Sequence, residues 1–456
     1  MTSIPLVAWQ PRWWGFISLA WALVGCPPRT AAAAPADDVA QRIDRELPSL
    51  EALYRDLHRQ PELSFREVET GLRIAAELEK AGLTVTRRVG GHGVVGVLTN
   101  GPGPVILLRS DLDGLPVREQ TGLPFSSTHQ MTNDVGERVP TMHACGHDIH
   151  MGCLVGTARL LSAMKDSWRG TLVFLGQPAE ERGGGARAVL KDGLFERFPK
   201  PTACIALHCN ASLLTGSVGF VEGFTFANVD SVDITVRGVG GHGAYPHLTK
   251  DPIVLASQIV LALQTVVSRE TRPGEPAVVT VGSIHGGSKH NIIPDSVHLQ
   301  LTLRSYTEEV RQNTLASIRR ICRGLAESAG LPADLHPQVQ VANEFTPALY
   351  NDPTLTRRLS RTASTWLGAG RVLALQPVMG GEDFSEFGRT ADKIPICQFW
   401  LGVVSPEINA EAVRTGRPLP SLHSPFFRPQ PGPAMRTGIT ALVASILELA
   451  PATPPR

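Results

Sequence analysis

Short, continuous apolar runs constrain the fold of this 456-residue chain more than any other feature of its sequence. They occupy residues 105–108, 172–175 and 204–207. Runs of this length are typical of strands that are buried on both faces of a largely parallel sheet. Helical patterns such as that of residues 70–81, which Gly82 ends, alternate with them along the chain. The sequence therefore predicts an α/β fold with a largely parallel central sheet.

Polar side chains of the kinds used in catalysis follow each of these runs. Asp111 and Asp113 follow the first run, Glu180 and Glu181 follow the second, and His208 follows the third, whose strand it is expected to end. Because ligands of open α/β sheets bind beyond the carboxyl ends of the strands, these side chains are expected to converge at one edge of the sheet.

The middle of the chain has a different pattern, in which the predicted strands show alternating apolar residues. The elements follow the order strand, helix, strand, strand, helix, strand, at residues 232–236, 252–268, 277–284, 297–303, 308–329 and 339–341. This order is that of a ferredoxin-like α+β unit. We therefore expect a separate domain inserted into the first one.

The length of the chain, together with these patterns, predicts two domains and an N-terminal targeting segment. The predicted division is a signal peptide at 1–36, a first part of the catalytic domain at 37–225, an inserted domain at 226–343 and a second part of the catalytic domain at 344–450.

The first residues have the features of an export signal. Arg12 supplies positive charge, the apolar run 13–25 is too short to span a bilayer, and residues 34–36 give a small-residue cleavage pattern. We expect export to the periplasm or the medium and no integral membrane span in the mature form. A membrane anchor and a lipid attached at Cys26 stay open as alternatives.

Composition narrows the function further. A net charge of +1 without a basic stripe argues against a nucleic-acid partner. A hydrophobic content of 42% indicates a globular chain with a buried core. The seven cysteines are scattered and do not form the pattern of a disulfide framework, so most are expected to be buried thiols.

The segment from His143 to His150 is dense in side chains that bind metals. Thiolate and imidazole suit zinc, whereas imidazole with carboxylate suits manganese, cobalt or nickel. Cys145 and His147 are separated by one residue and can reach neighbouring ions from an extended loop. The alternative interpretation is the start of a helix that Asp148 caps, and the two interpretations are compatible.

Glu180 and Glu181 add two adjacent carboxylates, which are costly unless a cation compensates them or one of them is protonated. One can bind metal while the other acts as general base, although on a solvated surface the pair would need no such role. Taken alone, His208 and His423 are compatible with structural roles. His242 lies in a glycine-rich loop and is either part of a turn or an oxyanion donor over a cleft.

Seven ordered motifs make a resemblance to a known family specific. They are LRSDLDGLP at 108–116, MHACGHD at 142–148, QPAEE at 177–181, GGHGAYPH at 240–247, NIIP at 291–294, GGEDF at 380–384 and LHSP at 422–425. Together they resemble the aminoacylase/carboxypeptidase family of metallo-amidohydrolases, and most of all its hippurate hydrolase and indole-acetyl-amino-acid hydrolase branch. The resemblance covers about residues 40–450.

The resemblance implies a catalytic domain that binds two metal ions and an inserted domain that serves as lid and dimerisation domain. It implies that Glu180 is the general base and later acid, that Asp113 orients the site, and that His242 stabilises the oxyanion from the partner subunit. In this branch Asp111 stands where other branches have a metal-binding histidine. The implied metal ligands are Cys145, His147, Glu181, His208 and His423, and the candidates for substrate binding are Asn291, Arg304 and Glu382.

The reaction that this implies is hydrolysis of the amide bond of N-acyl or N-aroyl amino acids, such as hippurate, to a carboxylic acid and an amino acid. The expected cofactors are two divalent metal ions, Mn or Zn with Co or Ni as alternatives, and the expected assembly is a homodimer. Three other functions stay open. They are an exported metallo-carboxypeptidase or dipeptidase of the same fold, a cysteine hydrolase that uses Cys145 with His147 or His143, and a non-catalytic binder of amino acids or peptides.

Overall fold

The computed structural model describes residues 35–452. The predicted signal peptide therefore lies outside the described residues, except for residues 35 and 36, which belong to the first helix. The described α-helices are α1 (Pro35–Arg59), α2 (Val68–Lys80), α3 (His147–Ala163), α4 (Gly185–Lys191), α5 (Leu194–Arg197), α6 (Pro252–Thr265), α7 (Glu308–Ser328), α8 (Pro353–Leu367), α9 (Ser385–Arg389), α10 (Pro406–Thr415) and α11 (Pro431–Leu449).

Within the described residues, the strands form two main sheets and three short ribbons. The described strands are β1 (Thr84–Val89), β2 (Gly93–Asn100), β3 (Val105–Asp111), β4 (Gln130–Thr132), β5 (Arg138–Pro140), β6 (Gly170–Gln177), β7 (Ala203–Leu214), β8 (Val218–Phe220), β9 (Gly223–Phe226), β10 (Asn228–Arg237), β11 (Gly241–His242), β12 (Ala277–Gly286), β13 (Ile292–Ile293), β14 (Ser296–Ser305), β15 (Gln338–Thr346), β16 (Leu349–Asn351), β17 (Val372–Ala374) and β18 (Ile396–Val404).

The larger sheet has eight strands in the order β1-β2-β6-β3-β7-β18-β8-β17. Its four central strands, from β6 to β18, are parallel, and antiparallel pairings flank them on both sides. The apolar runs of the sequence lie in β3, β6 and β7, whose first residues are almost all buried. The predicted α/β fold with a largely parallel central sheet is confirmed.

Helices cover both faces of the larger sheet. On one face α1, α3 and α11 pack against one another, and their side chains join the larger hydrophobic cluster. Because α3 is apolar on nearly all sides, it is almost completely buried. On the other face α4 and α9 pack together, and Val189 and Phe387 belong to a second cluster. The carboxyl edge of the parallel strands stays available for a functional site.

The smaller sheet has the order β12-β14-β10-β15, and all its pairings are antiparallel. α6 and α7 contact this sheet, and a separate hydrophobic cluster that includes Ile234, Ile259 and Ile318 fills the space between them. Strand order and element order agree with the predicted ferredoxin-like unit. Its strands run from Asn228 to Thr346, and the predicted domain boundaries at 226 and 343 stay a prediction.

One helical stretch of the described chain, Pro252–Glu270, is long and apolar enough to cross a membrane. It consists of α6 and a following π-helical turn. Part of its apolar character has a local explanation, because Leu255, Ile259 and Leu263 pack in the hydrophobic cluster of the smaller sheet.

Candidate metal centre

The predicted site residues of the larger sheet lie at the carboxyl edge of its parallel strands. Asp111 is the last residue of β3, and Asp113 follows two residues later. Glu180 and Glu181 follow the end of β6. His208 lies inside β7, which runs on beyond it, so the expectation that His208 ends its strand is wrong. The predicted convergence at one edge nevertheless holds, because β7 pairs in parallel with β3.

The loop before α3 delivers Cys145 and His147. α3 begins at His147, and its N-cap is Gly146 with a φ of +83°. A side chain at residue 146 would also meet Cys209 Sγ at 2.8 Å, so the turn between the two predicted ligands requires glycine. Asp148 therefore lies within the first turn of α3, and the prediction that it caps this helix is wrong.

The structure brings all the predicted metal ligands together. Cys145 Sγ lies 3.6 Å from His208 Nε2. Glu181 Oε1 lies 3.8 Å from His147 Nε2, and Glu181 Oε2 lies 3.5 Å from His423 Nε2. The ligand atoms of Cys145, His147 and His208 lie within 4.8 Å of one another, as do those of Cys145, Glu181 and His423. Cys145 belongs to both groups, so the geometry offers two neighbouring sites that share one thiolate.

These residues fit divalent cations. His147 Nε2 and Glu181 Oε1 are buried and have no hydrogen-bond partner within residues 35–452. Buried polar atoms of this kind are costly, and a bound cation would satisfy both. Separations of 3.5–3.8 Å between donors suit an ion about 2.0–2.3 Å from each. Thiolate, imidazole and carboxylate donors together match zinc and the neighbouring divalent transition metals.

Electrostatics lead to the same conclusion. Burial and the charges of Glu181 and Glu180 raise the pKa of the Cys145 thiol, so its thiolate requires a compensating cation. The reading of Cys145 as a nucleophile needs the opposite, a depressed pKa. Burial would lower the pKa of His147, but Asp111 and Asp113 raise it to about 10. The raised pKa shows that carboxylates outnumber cations around this ring, so a bound cation would be stabilised there.

His423 is the most exposed of the predicted ligands. Its side chain is 54% exposed, and its backbone has a φ of +65°, an uncommon value for histidine. The backbone N–H of His423 donates to Ala144 O at 2.8 Å, which ties this loop to the segment that carries Cys145. Burial and the nearby His147 lower the pKa of His423, so the ring is neutral and able to donate an electron pair.

Glu180 lies beside the ligand cluster and is 7% exposed. Its Oε2 is 3.9 Å from His147 Nε2, and its carboxylate lies within 4.8 Å of those of Glu382 and Asp383. Burial, Glu382 and Glu181 raise the pKa of Glu180. A raised pKa makes a carboxylate a stronger base than an ordinary glutamate, which suits general acid–base catalysis.

Asp113 is positioned to orient the centre. Its Oδ2 accepts hydrogen bonds from Ser64 Oγ at 2.7 Å and from Glu181 N at 3.0 Å. Its carbonyl oxygen lies 2.8 Å from His147 Nδ1. A proton on Nδ1 that is bonded in this way leaves Nε2 of His147 free to bind a metal.

Two buried residues of the site were not singled out from the sequence. His150 Nδ1 lies 2.6 Å from Asp111 Oδ1, and Arg109 donates to Asp111 Oδ2 at 2.8 Å. Arg109 also donates to Glu382 and Asp383. An arginine directly after a run predicted to be a strand buried on both faces was the available signal, because a buried charge requires partners.

Of the three predicted substrate residues, Glu382 and Arg304 lie near the larger sheet's site, whereas Asn291 forms no hydrogen bond with it in the described part of the chain. Glu382 is buried and bonded to Arg109, Phe384 N and Gln398 Nε2, so its oxygens already have protein partners. Arg304 is half-buried on β14. Its Nη1 lies close to Gly381, the residue before Glu382, because a Cβ added at residue 381 would be 3.5 Å from it. It therefore approaches the larger sheet's site from the smaller sheet.

His242 and Asn291 are exposed on the smaller unit. His242 pairs with Ile292, and its Nδ1 accepts a hydrogen bond from Ala244 N at 3.0 Å. Asn291 O accepts from Gly243 N at 2.9 Å. No hydrogen bond or ion pair within residues 35–452 joins His242 or Asn291 to the metal centre. Their predicted roles stay predictions.

An open α/β sheet whose carboxyl edge gathers these donors beside a buried glutamate defines a metal-dependent hydrolase. Residues 107–414 match the sequence profile of peptidase family M20/M25/M40. The chain belongs to this family, which confirms the resemblance found in the sequence.

Relatives of known name support this assignment. The chain is 36% identical over 355 residues to N-acetylcysteine deacetylase of Bacillus subtilis, which covers 77% of this chain and 88% of that protein. It is 34% identical over 374 residues to IAA-amino acid hydrolase ILR1-like 4 of Arabidopsis thaliana, with 82% and 79% covered. The crystal structure of YXEP of Bacillus subtilis, described as a dinuclear metal-binding peptidase of the M20 family, superposes with a TM-score of 0.70 at 30% identity. It covers 89% of this chain and 99% of its own.

Proposed function

We propose that this enzyme hydrolyses the amide bond of N-acyl or N-aroyl amino acids, hippurate among them, to a carboxylic acid and a free amino acid. The observation that carries the proposal is the buried Glu180 carboxyl beside a cluster of metal-binding donors, two of which, His147 Nε2 and Glu181 Oε1, have no hydrogen-bond partner within residues 35–452. The names of two relatives, a deacetylase of N-acetylcysteine and a hydrolase of IAA-amino acids, support an acylated amino acid as the substrate.

In this proposal two divalent cations, Mn or Zn with Co or Ni as alternatives, occupy the centre. Cys145, His147, Glu181, His208 and His423 hold them. Bound cations of this kind lower the pKa of water and polarise a carbonyl group. Asp113 keeps His147 in the tautomer that leaves Nε2 free.

Glu180 moves the protons of the reaction. Its carboxylate takes a proton from the water whose oxygen bonds to the carbonyl carbon of the amide. The same proton then goes to the leaving nitrogen as the carbon–nitrogen bond breaks, which yields the acid and the amine. A raised pKa for Glu180 matches both steps, because one group has to accept and then donate the same proton.

Two predicted contributions come from the smaller unit. His242 donates a hydrogen bond to the developing oxyanion, and in a homodimer it does so from the partner subunit. Asn291 and Arg304 bind the carboxylate of the amino-acid part. Arg304 is suited to this role because it is half-buried and no ion pair within residues 35–452 neutralises it.

The assignment of the base is tested by Glu180→Gln. Removing the group is expected to lower kcat by at least about 10²–10⁴-fold while metal content stays at the wild-type level, since Glu181 and not Glu180 binds metal. Glu309→Gln, at an exposed position of α7, is the matched control and is expected to leave kcat unchanged. Wild-type turnover by fully metallated Glu180→Gln would refute the role.

A substrate panel separates this function from its alternatives. Metal-loaded enzyme is assayed with hippurate, N-acetyl amino acids and dipeptides, and the highest kcat/KM is expected for acylated amino acids. Preference for dipeptides would instead identify a carboxypeptidase or dipeptidase. Tight binding without turnover of any substrate would identify a binding protein.

Export of the mature enzyme is also part of the proposal. Fractionation of cells that express the full chain, compared with a chain lacking residues 1–36, tests it directly. Activity is expected outside the cytoplasm only for the full chain, and Cys26→Ala distinguishes a lipid-anchored from a released form.

A further inference from the structure

Glu67 connects the segment before α2 to the loop that carries Glu180. Its side chain is completely buried, although it belongs to neither the ligand set nor the proton path. Its Oε1 accepts hydrogen bonds from the backbone N–H groups of Phe65 at 2.9 Å and Ala179 at 2.8 Å. Because Ala179 directly precedes Glu180, this contact lies one residue away from the proposed base.

Both residues that donate to Glu67 have unusual backbones. Phe65 has a φ of 62° and Ala179 a φ of 52°, in the left-handed region that residues other than glycine seldom adopt. Such conformations persist where surrounding contacts determine them, and they cluster at functional sites. One buried carboxylate oxygen satisfies both N–H groups, so it supports both conformations together.

The remainder of this loop is packed as closely. Gly185 N donates to Ala179 O at 3.1 Å, and a Cβ at residue 185 would lie 1.6 Å from Pro178 O. At the far end, Glu181 N donates to Asp113 Oδ2. The hydrogen bond from Ala179 N to Glu67 thus holds the first part of the loop. The hydrogen bond from Glu181 N to Asp113 holds the part that carries the metal ligand.

We propose that Glu67 is a positioning residue that fixes the backbone of Ala179 and so directs the carboxylates of Glu180 and Glu181 toward their common centre. The inference rests on the proposed roles of these two glutamates. The backbone of Glu67 is itself held at the start of α2, because Glu67 O accepts from Gly71 N at 2.9 Å. Burial and the charge of Asp113 raise the pKa of Glu67 to about 8, so neutral glutamine is a close substitute at neutral pH.

Three substitutions of Glu67 test the geometry separately from the charge. Glu67→Gln keeps an acceptor oxygen at the same reach. Glu67→Asp keeps the carboxylate but shortens the side chain by one methylene group, and Glu67→Ala removes the acceptor. Glu69→Ala, at an exposed position of the same helix, is the control.

We expect kcat and metal affinity to stay near wild type for Glu67→Gln and to fall at least about tenfold for Glu67→Asp and Glu67→Ala, with KM little changed. Hydrogen exchange in the metal-free proteins supplies a readout that does not depend on activity. The peptide that contains Ala179 and Glu180 is expected to exchange at least about tenfold faster in the Asp and Ala variants alone.

Two results would overturn the proposal. One is wild-type kcat, metal affinity and exchange in Glu67→Asp, the variant that keeps the carboxylate but shortens its reach. The other is loss of activity in Glu67→Gln with retention in Glu67→Asp, which would show that charge rather than reach matters. Failure of the proposed function is a separate result, because it appears in Glu180→Gln whatever the behaviour of the Glu67 series.

Discussion

The larger and the smaller sheet place their predicted functional residues in different ways. On the larger sheet, Cys145, Glu181 and His423 come from distant parts of the chain and still meet within 4.8 Å in a single chain. On the smaller unit, His242 and Asn291 are exposed, and their hydrogen bonds stay within the ribbon of β11 and β13 and its adjoining loops. One half of the proposed site is therefore complete, whereas the other depends on a further arrangement.

The physical reason lies in what supports each group. The carboxyl ends of parallel strands are fixed by sheet pairing and by helices on both faces, so side chains there are preorganised. His242 lies on a two-residue strand, β11, whose pairing partner is the equally short β13. In the proposed function this segment brings its imidazole to the substrate through closure of the smaller unit or through a second subunit.

Removal of the divalent cations is expected to have the largest effect, because it acts on the half of the site that is complete. Dialysis against a chelator should lower kcat/KM by at least about 10³-fold, since metal ions contribute several kcal/mol of transition-state stabilisation. Readdition of Zn or Mn should restore activity. Full activity in protein shown by elemental analysis to be free of metal would contradict the assignment of the centre.

His242→Ala tests the other half. We expect kcat to fall about 10²–10³-fold, the effect of losing one oxyanion donor, with an unchanged melting temperature because the side chain is exposed. His247→Ala, in the same exposed loop, should leave kcat unaffected. Equal effects of the two substitutions would indicate a general disturbance of the loop and not loss of an oxyanion donor.

Mixed subunits then decide where His242 acts. If it reaches the partner's cleft, combining His242→Ala subunits with Glu180→Gln subunits restores activity, since one cleft of each mixed dimer has both groups. If His242 serves its own chain, every cleft of the mixed dimer lacks one group and activity stays low.

The larger and the smaller sheet were also predicted from different features of the sequence. The apolar runs and the polar residues after them predicted the sheet and its functional edge, because strand burial and strand direction are local properties. The alternation in residues 297–303 likewise predicted a sheet with one covered face. In the larger sheet the length of the continuous apolar runs carried the information, and in the smaller sheet the alternation of apolar residues did.

Partnerships between buried polar groups could not be predicted in this way. Arg109 and Glu382 are 273 residues apart in the chain, and Glu67 and Ala179 are 112 residues apart. Nothing in the local pattern of either partner indicates the other, because such pairs are selected by tertiary packing. The expectation that Asp148 caps α3 was wrong for a local reason. Gly146 takes the N-cap position and provides the left-handed turn that begins the helix.

His58 offers a test of stability within the larger unit. It is buried between Asp148 Oδ2 at 2.7 Å and Glu119 Oε1 at 3.2 Å. Burial alone would lower its pKa, but the hydrogen bonds to these two carboxylates raise the pKa to about 9. His58→Gln is expected to lower the free energy of unfolding by about 3–5 kcal/mol at pH 6, because it leaves buried carboxylates without a cation.

The pH dependence of this effect has a definite sign. The folded-state pKa of His58 lies above its ordinary value of 6.5, so its stabilisation is complete below pH 6.5 and is lost as pH rises through about 9. Urea unfolding at pH 6 and pH 9.5 should therefore show a smaller difference between wild type and His58→Gln at the higher pH. His285→Gln, exposed on the smaller sheet, should show no difference at either pH.

Arg304 is the intermediate case and is expected to show the smallest effect. It extends from the smaller sheet, yet it approaches Gly381 of the larger unit, and in the described part of the chain its Nε donates only to Thr302 Oγ1. If it binds the substrate carboxylate, Arg304→Ala should raise KM roughly tenfold, the value of one charge-assisted hydrogen bond, with kcat within about twofold of wild type. Arg319→Ala, at an exposed position of α7, is the control. A fall in kcat at unchanged KM would instead place Arg304 with His242, among groups that act only in the transition state, and both would then depend on the same closure.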